Sequence, residues 1–276
     1  MSGFLRELRR SRTMAAGLTA IVAILFMMLI GPQLVRYDPY QQDLIGKLQK
    51  PSSTHWLGTD ELGRDITARI VVGARYSILT SLAASLAAAI AGTVLGTVSG
   101  YFGGWLDTVI MRAMDVLLAM PGVLLAIAII AALGTSIVNV VIAIGINYIP
   151  VFARLSRAST LTARQHDYVL AAHALGSGSS RIIMRHILPN IVSPLIVQLS
   201  LTLGAAMLLG AGLSFLGLGV QPPTPEWGSM LSTARVYIRT APHATVIPGL
   251  AIFVTVIALN LFGDGLRDAL DPRRRS

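Results

Sequence analysis

The sequence predicts an all-α, polytopic membrane protein of six transmembrane helices, and three observations carry that prediction. Of 276 residues, 54% are hydrophobic and only 13% charged, about half the charge of an ordinary soluble domain. The mean hydropathy is +0.68. Most decisively, all 22 basic and 13 acidic residues fall outside six apolar stretches, at 14–35, 76–100, 116–133, 137–153, 191–216 and 244–263. Crossing a hydrocarbon core of about 30 Å takes about 20 helical residues. Ala, Leu, Ile and Val fill these stretches without the strict alternation of a barrel strand. A chain so poor in polar surface is not a cytosolic enzyme or a disordered tail. It has no cysteine, so disulfides, thiol nucleophiles and thiolate metal sites are excluded too.

The first stretch follows a basic tail (1–13) with Arg6, Arg9, Arg10 and Arg12. Its apolar run is too long for a signal-peptide core and passes into Gly31-Pro32-Gln33 without a small-x-small cleavage site, so a retained helix is expected. The loop 36–75 starts extended at Tyr37-Asp38-Pro39-Tyr40. Leu62, Ile66 and Ile70 then recur at helical spacing, predicting a helix on the membrane surface capped by Thr59 or Asp60. Trp56, Asp60, Arg64 and Asp65 in this loop are candidates for an outer lid or docking surface.

In the second stretch, Gly92, Gly96 and Gly100 at four-residue spacing predict close approach to a neighbouring helix. Asp107, Arg112 and Asp115 precede the third, and Arg112 with Asp115 predicts an i,i+3 ion pair. The fourth is the shortest and contains Asn147 and Pro150. After it comes the most informative loop, 154–190. Asp167 is the expected N-cap of a short helix, and Gly176 supplies the left-handed residue that ends it. The adjacent Ala171 and Ala172 leave a shallow surface for another protein. A second short helix is expected at 181–187, closed by Leu188-Pro189-Asn190.

The loop 217–243 carries Pro222-Pro223-Thr224-Pro225, which predicts Thr224 as N-cap and Pro225 at the first helical position. Trp227, Met230, Leu231 and Ala234 follow at i, i+3, i+4 and i+7, an amphipathic helix that reads as an outer gate or as packing. After the sixth stretch, Asp264, Arg267 and Asp268 form a charged end before Pro272 and a tail at 264–276.

Six helices put both termini on one side. That side holds 14 of the 22 basic residues and seven of the 13 acids, a net +7 against +2 opposite, so both termini are expected in the cytoplasm. The pI near 10.6 then reflects basic clusters flanking spans, which suit anionic lipid headgroups rather than nucleic acid.

The loop 154–190 resembles the signature of ABC-importer permease subunits, Glu-Ala-Ala-x3-Gly-x9-Ile-x-Leu-Pro, matched here by Leu170-Ala171-Ala172, Gly176 and His186-Ile187-Leu188-Pro189. The segments 55–65 (His-Trp-Leu-Gly-Thr-Asp-Glu-Leu-Gly-Arg-Asp), Pro225-Glu226-Trp227-Gly228 and 263–272 are similar to those of the C-type permease in the dipeptide/oligopeptide/nickel branch. The resemblance implies the type I permease fold and a cytoplasmic coupling helix seated in a separate ATPase. It also implies a second homologous permease, two ATP-binding subunits or one fused ATPase, and an external substrate-binding protein. ATP and Mg would be bound by the ATPase, leaving this chain no cofactor of its own, in the bacterial cytoplasmic (inner) membrane. Asp167, Leu170, Ala171, Ala172, His173, Gly176, His186, Leu188 and Pro189 are the expected coupling residues. Two positions depart from the pattern. Leu170 replaces Glu, which would have completed a capping box with Asp167, and His186 replaces Ile. Peptides are the cargo the resemblance favours; nickel or another small solute is the alternative.

No Gly-x4-Gly-Lys-Ser/Thr loop occurs, so the chain is not expected to hydrolyse ATP. The five histidines lack metal-ligand spacing. Gly212-Leu213-Ser214-Phe215 with His243 resembles an intramembrane serine protease but lacks the final glycine and a histidine placed as base. A secondary transporter or channel is the rival transport class, though no span carries the mid-membrane charge such proteins use. The candidate translocation path is instead uncharged: Asn139, Asn147, Gln198, Ser200, Thr202, Thr255 and Asn260. The same residues also read as interhelical hydrogen-bond glue, at about 0.6 kcal/mol each.

Overall fold

The computed structural model describes residues 12–270. The basic tail ahead of Arg12, and the stop expected at Pro272, lie outside the described residues. Among these the secondary structure is helical: α1 (Arg12–Leu29), α2 (Ile66–Phe102), α3 (Gly104–Ala119), α4 (Gly122–Leu133), α5 (Ile137–Ala163), α6 (Asp167–Ala174), α7 (Ser179–Phe215), α8 (Trp227–Ala234) and α9 (Pro242–Leu270). A single further turn, Gly31–Leu34, extends α1.

Every predicted stretch is helical, but the spans differ in kind. α2, α5, α7 and α9 are long and apolar enough to cross a membrane, and the shorter α1 is apolar from Thr13 to Leu29. The third stretch is not a straight helix: α3 and α4 meet at 94°. The break is local chemistry. Met120, held extended (φ −95°, ψ 137°), precedes Pro121, and a residue before proline is pushed out of the α region. With 12 residues, α4 rises only about 18 Å.

The surface helix expected near residues 59–70 is the start of α2 itself. Asp65, not Thr59 or Asp60, is its cap, accepting the Ala68 N–H at 2.7 Å. From there 37 residues run unbroken, about 55 Å. Thr59 is occupied elsewhere, its hydroxyl donating to the Gly46 carbonyl at 2.5 Å.

The second short helix at 181–187 is likewise not closed by Leu188-Pro189-Asn190. A π turn, Ile183–Ile187, carries it into the rest of α7. Pro189 has no N–H to continue the ordinary ladder. The wider register absorbs this, the Leu188 N–H bonding to the Ile183 carbonyl, and the Asn190 side-chain amide donates to the His186 carbonyl at 2.6 Å. At α8, Glu226 rather than Thr224 is the N-cap, its carboxylate accepting the Gly228 and Ser229 N–H groups at 2.9 and 2.8 Å. A carboxylate accepts two orphan donors of the first turn, which one threonine hydroxyl does not.

The glycine stripe fixes the main helix–helix contact. A Cβ on Gly92 would stand 2.6 Å from the Ile149 carbonyl oxygen, one on Gly96 would run into the Ala153 carbonyl and Ser156 Oγ, and one on Gly100 would stand 2.8 Å from the Arg157 carbonyl. Backbone therefore lies on backbone along α2 and α5, as the small residues predict. A second cluster joins α1, α2, α8 and α9 around Met28, Ile66, Ile70, Trp227 and Val256.

Candidate coupling elbow and translocation face

The elbow is built from α6 and its turn. Gly176, at φ +77°, ends the helix as expected. Its N–H donates to the His173 carbonyl at 3.0 Å and the Ser177 N–H to the Ala172 carbonyl at 3.1 Å, the paired bonds of a Schellman motif. At the other end His166, not Asp167, occupies the N-cap position, and no side chain caps the helix. Asp167 is the first helical residue, where its charge still favours the positive end of the dipole.

Val169 and Ala172 face inward on Ala163, Ile182, Ile187 and Ile191. Leu170, Ala171 and His173 face out, together with Leu175, which is 86% exposed. The two alanines therefore do not form one shallow surface, because adjacent helical positions are about 100° apart. The exposed apolar tip is Leu170 and Leu175. His186 and Leu188 sit half-buried below α6, and Pro189 is exposed. Aromatic rings tie the two layers: His166 stacks on Tyr168 at 5.4 Å, and Tyr168 lies 6.2 Å from His186.

Ion pairs brace the base of the elbow between helices. Arg157 of α5 donates to both carboxylate oxygens of Asp107 in α3, each at 2.6 Å, and the Ser99 hydroxyl of α2 donates to the same carboxylate. Arg154 pairs with Asp115 at 2.7 Å, so the expected Arg112–Asp115 pair is not formed. Arg164 caps the end of α2 by donating to the Tyr101 carbonyl at 2.8 Å. Sequence spacing missed these partners because they lie 39 to 63 positions apart. The available signal was a helix end bearing Arg154, Arg157 and Arg164, with the two aspartates Asp107 and Asp115 ahead of the third apolar stretch.

At the opposite end, most of the predicted docking residues are interior. Asp60 holds Arg64 at 2.7 Å, Arg64 reaches Glu61 at 3.0 Å, and Arg69 Nε lies 3.3 Å from Asp60. Asp60, Arg64 and Asp65 are buried, so they cement the loop rather than present a surface. Arg69 also donates to the Pro39 and Pro223 carbonyls at 3.0 and 3.5 Å, tying the two long loops together. Trp227 is fully buried, its indole N–H donating to the Ile70 carbonyl at 2.9 Å. Of the five residues, only Trp56 is open, at 75% exposure.

The uncharged path residues divide. Asn139 ties off α4, donating to the Leu133 and Gly134 carbonyls at 2.9 Å each. Ser200 and Thr255 bond back to their own helices, at Val197 and Ala251, and Gln198 donates to Thr202 of the same helix. Asn147 packs over Gly122 and Asn260 over Gly204, so these two do bridge helices. Among the described residues no group of three or more His, Cys, Asp or Glu is placed to hold a metal.

Residues 92–276 match the family model of the binding-protein-dependent transport system inner membrane component. The chain belongs to that family. It is a multi-pass inner-membrane permease rather than an enzyme. Residues 1–51 match the N-terminal transmembrane domain of oligopeptide transport permease C. The permease is 47% identical over 274 residues to the glutathione transport system permease protein GsiD of Pectobacterium atrosepticum, covering 98% of this chain and 90% of that one. It is 45% identical over 271 residues to the dipeptide transport system permease protein DppC of Alkalihalophilus pseudofirmus, covering 98% and 89%. Its fold resembles a solved amino acid ABC transporter, crystallised with histidines, at TM-score 0.51 and 15% identity over 72% of this chain and 92% of that one. The permease's elbow thus lies within the matched family segment, as does the α3–α5 brace beneath it.

Proposed function

We propose that this permease forms half of the pore of an ATP-driven importer of short peptides, with both termini cytoplasmic. In this reading α6 is the coupling helix. It sits in a cleft of an ATPase subunit, a homologous permease forms the other half of the pore, and an external binding protein delivers the cargo. The observation that carries the reading is α6 itself: a helix ended by Gly176 whose outward Leu170, with Leu175 in the turn after it, is exposed among the described residues. A short helix cannot bury such side chains alone. The named cargoes of the relatives, a dipeptide and glutathione, favour small peptides over nickel.

The mechanism follows from the bracing. A pull on α6 passes into α5, and α5 is locked to α2 by glycine contacts and to α3 by Arg157 and Arg154. These helices therefore move as one body between two packed states, which is how a small motion at a lever becomes a change of access. The test is uptake of a labelled dipeptide into proteoliposomes holding this chain, its permease partner and the ATPase. Gly176→Val, which forces a β-branched side chain into φ +77°, is expected to abolish ATP-driven uptake while the chain still inserts. Uptake by the lone chain without nucleotide would overturn the proposal.

A further inference from the structure

A groove of about 310 Å³ lies between the end of α1, the start of α2 and the loop joining them. Its walls are mainly apolar, with Phe26 and Leu34 from the first helical segment and Val71 from α2, and Phe26, Leu34 and the neighbouring Trp56 are exposed at its rim. Gly31 closes the floor: a Cβ there would stand 2.6 Å from Val71 Cγ1.

The mouth has a different chemistry. Arg36 lines it, exposed, with its guanidinium 5.7 Å from the centroid of the Tyr37 ring. Among the described residues no carboxylate lies within ion-pair distance of Arg36. Asp65 also borders the groove, but its oxygens are taken by the Ala68 N–H and by His55 Nδ1 at 2.7 and 2.9 Å. An unpaired guanidinium, a tyrosine and a tryptophan at the end of a membrane helix are the groups that sit at headgroup depth. Arginine also matches phosphate with a planar fork of donors.

We propose that this groove binds an anionic phospholipid, with one acyl chain against Phe26, Leu34 and Val71 and the phosphate held by Arg36. Chain and headgroup requirements are met by one continuous surface, and the lipid fills the seam between α1 and the long loop. The residues lining the groove include none of the candidate path residues and none of the elbow.

The intact importer, carrying this chain with its permease partner and ATPase, is placed in phosphatidylcholine nanodiscs containing phosphatidylglycerol with a diazirine in its acyl chain. Irradiation and peptide mapping are expected to place the label within 26–37 and 53–71. Arg36→Ala, an exposed change that leaves the fold intact, should cut that label by roughly tenfold, as loss of a charge-assisted phosphate contact implies. Arg36→Lys should keep most of it, and the same diazirine on phosphatidylcholine should label weakly in every variant. Label spread evenly over the apolar helices, label indifferent to Arg36→Ala, or a peptide of the second permease cross-linked into the groove would each overturn the proposal. ATP-driven uptake by the same preparation reports separately on the importer.

Discussion

Arg157 grips Asp107 through two parallel hydrogen bonds of 2.6 Å, joining the helix that leads into the elbow to the helix that follows α2. The carboxylate is held on a third side by Ser99, so three helices meet on one side chain. Asp107 and Arg157 are both partly exposed, which limits the pair to about 1 kcal/mol despite its fork geometry. A double-mutant cycle of Arg157→Ala and Asp107→Ala, followed by denaturation of the purified chain, should return a coupling of that size. Arg157→Lys keeps the charge but loses the fork and should recover less than half of it. Zero coupling would show that the helices are held without the pair.

The glycine stripe gives a second, sharper expectation. Gly96→Ala puts a methyl group into the Ala153 carbonyl and the Ser156 hydroxyl, and Ser156 cannot retreat easily, because its hydroxyl also donates to the Phe152 carbonyl at 2.7 Å. Overpacking of this kind costs about 1–3 kcal/mol. Gly178 is the control: its φ is −65° and an added Cβ meets nothing within 4 Å. Thermal unfolding in detergent should separate the two, with Gly96→Ala markedly lower and Gly178→Ala near the parent. Equal midpoints would remove close backbone packing as the reason for the stripe.

These two cases mark what was legible in the sequence. Gly92, Gly96 and Gly100 announced a close approach because helical periodicity is a local rule, and the neighbour they touch needed no naming. Gly176 was legible for the same reason: a left-handed cap is a property of one residue. Arg157 and Asp107 were each visible as charges, but their pairing depends on how α3 turns away from α2 at Gly103 and Gly104 (φ +68° and +60°). Spacing along one helix pointed instead to Arg112 and Asp115. The cap expected at Thr224 went to Glu226, whose carboxylate also takes the Ser77 hydroxyl of α2, while α6, where Asp167 was expected to cap, has no side-chain cap. Trp56 and Trp227 show the limit most clearly. Both stood in loops read as outer lid or gate, and only packing separates the exposed one from the buried one.

The Asp60 network predicts a loss concentrated in one loop. Asp60 meets Arg64 through Oδ2, and its Oδ1 accepts the Leu62 and Arg64 backbone N–H groups at 2.9 Å each. Asp60→Ala leaves the buried guanidinium of Arg64 with Glu61 alone, takes the carboxylate away from the buried Arg69 and unties those amides. Breaking one side of a buried pair costs about 3–5 kcal/mol. Limited proteolysis should then cut between 39 and 64 at protease levels that leave the parent intact. Asp60→Asn, which keeps an acceptor but not the charge, should fall between them. Unchanged cleavage in Asp60→Ala would show that the loop is held by its other bonds.

Trp227 offers a direct optical test of the buried seat of α8. The chain has three tryptophans; Trp56 and Trp105 are each 75% exposed and Trp227 is fully enclosed, with its N–H on the Ile70 carbonyl. In a Trp56→Phe/Trp105→Phe background, fluorescence should be blue-shifted and nearly insensitive to iodide, which does not reach a packed interior. Adding Glu226→Ala removes the cap that holds α8 to the Ser77 hydroxyl of α2 at 3.0 Å, a loss of about 1 kcal/mol from the cap alone. Leaving Ser77 without its acceptor adds a further desolvation cost. α8 should then leave its seat more often, and iodide quenching should rise while the emission moves to the red. Quenching of Trp227 that matches an exposed indole in the parent background would contradict the buried position of α8, and with it the role of Glu226 as the latch between α8 and α2.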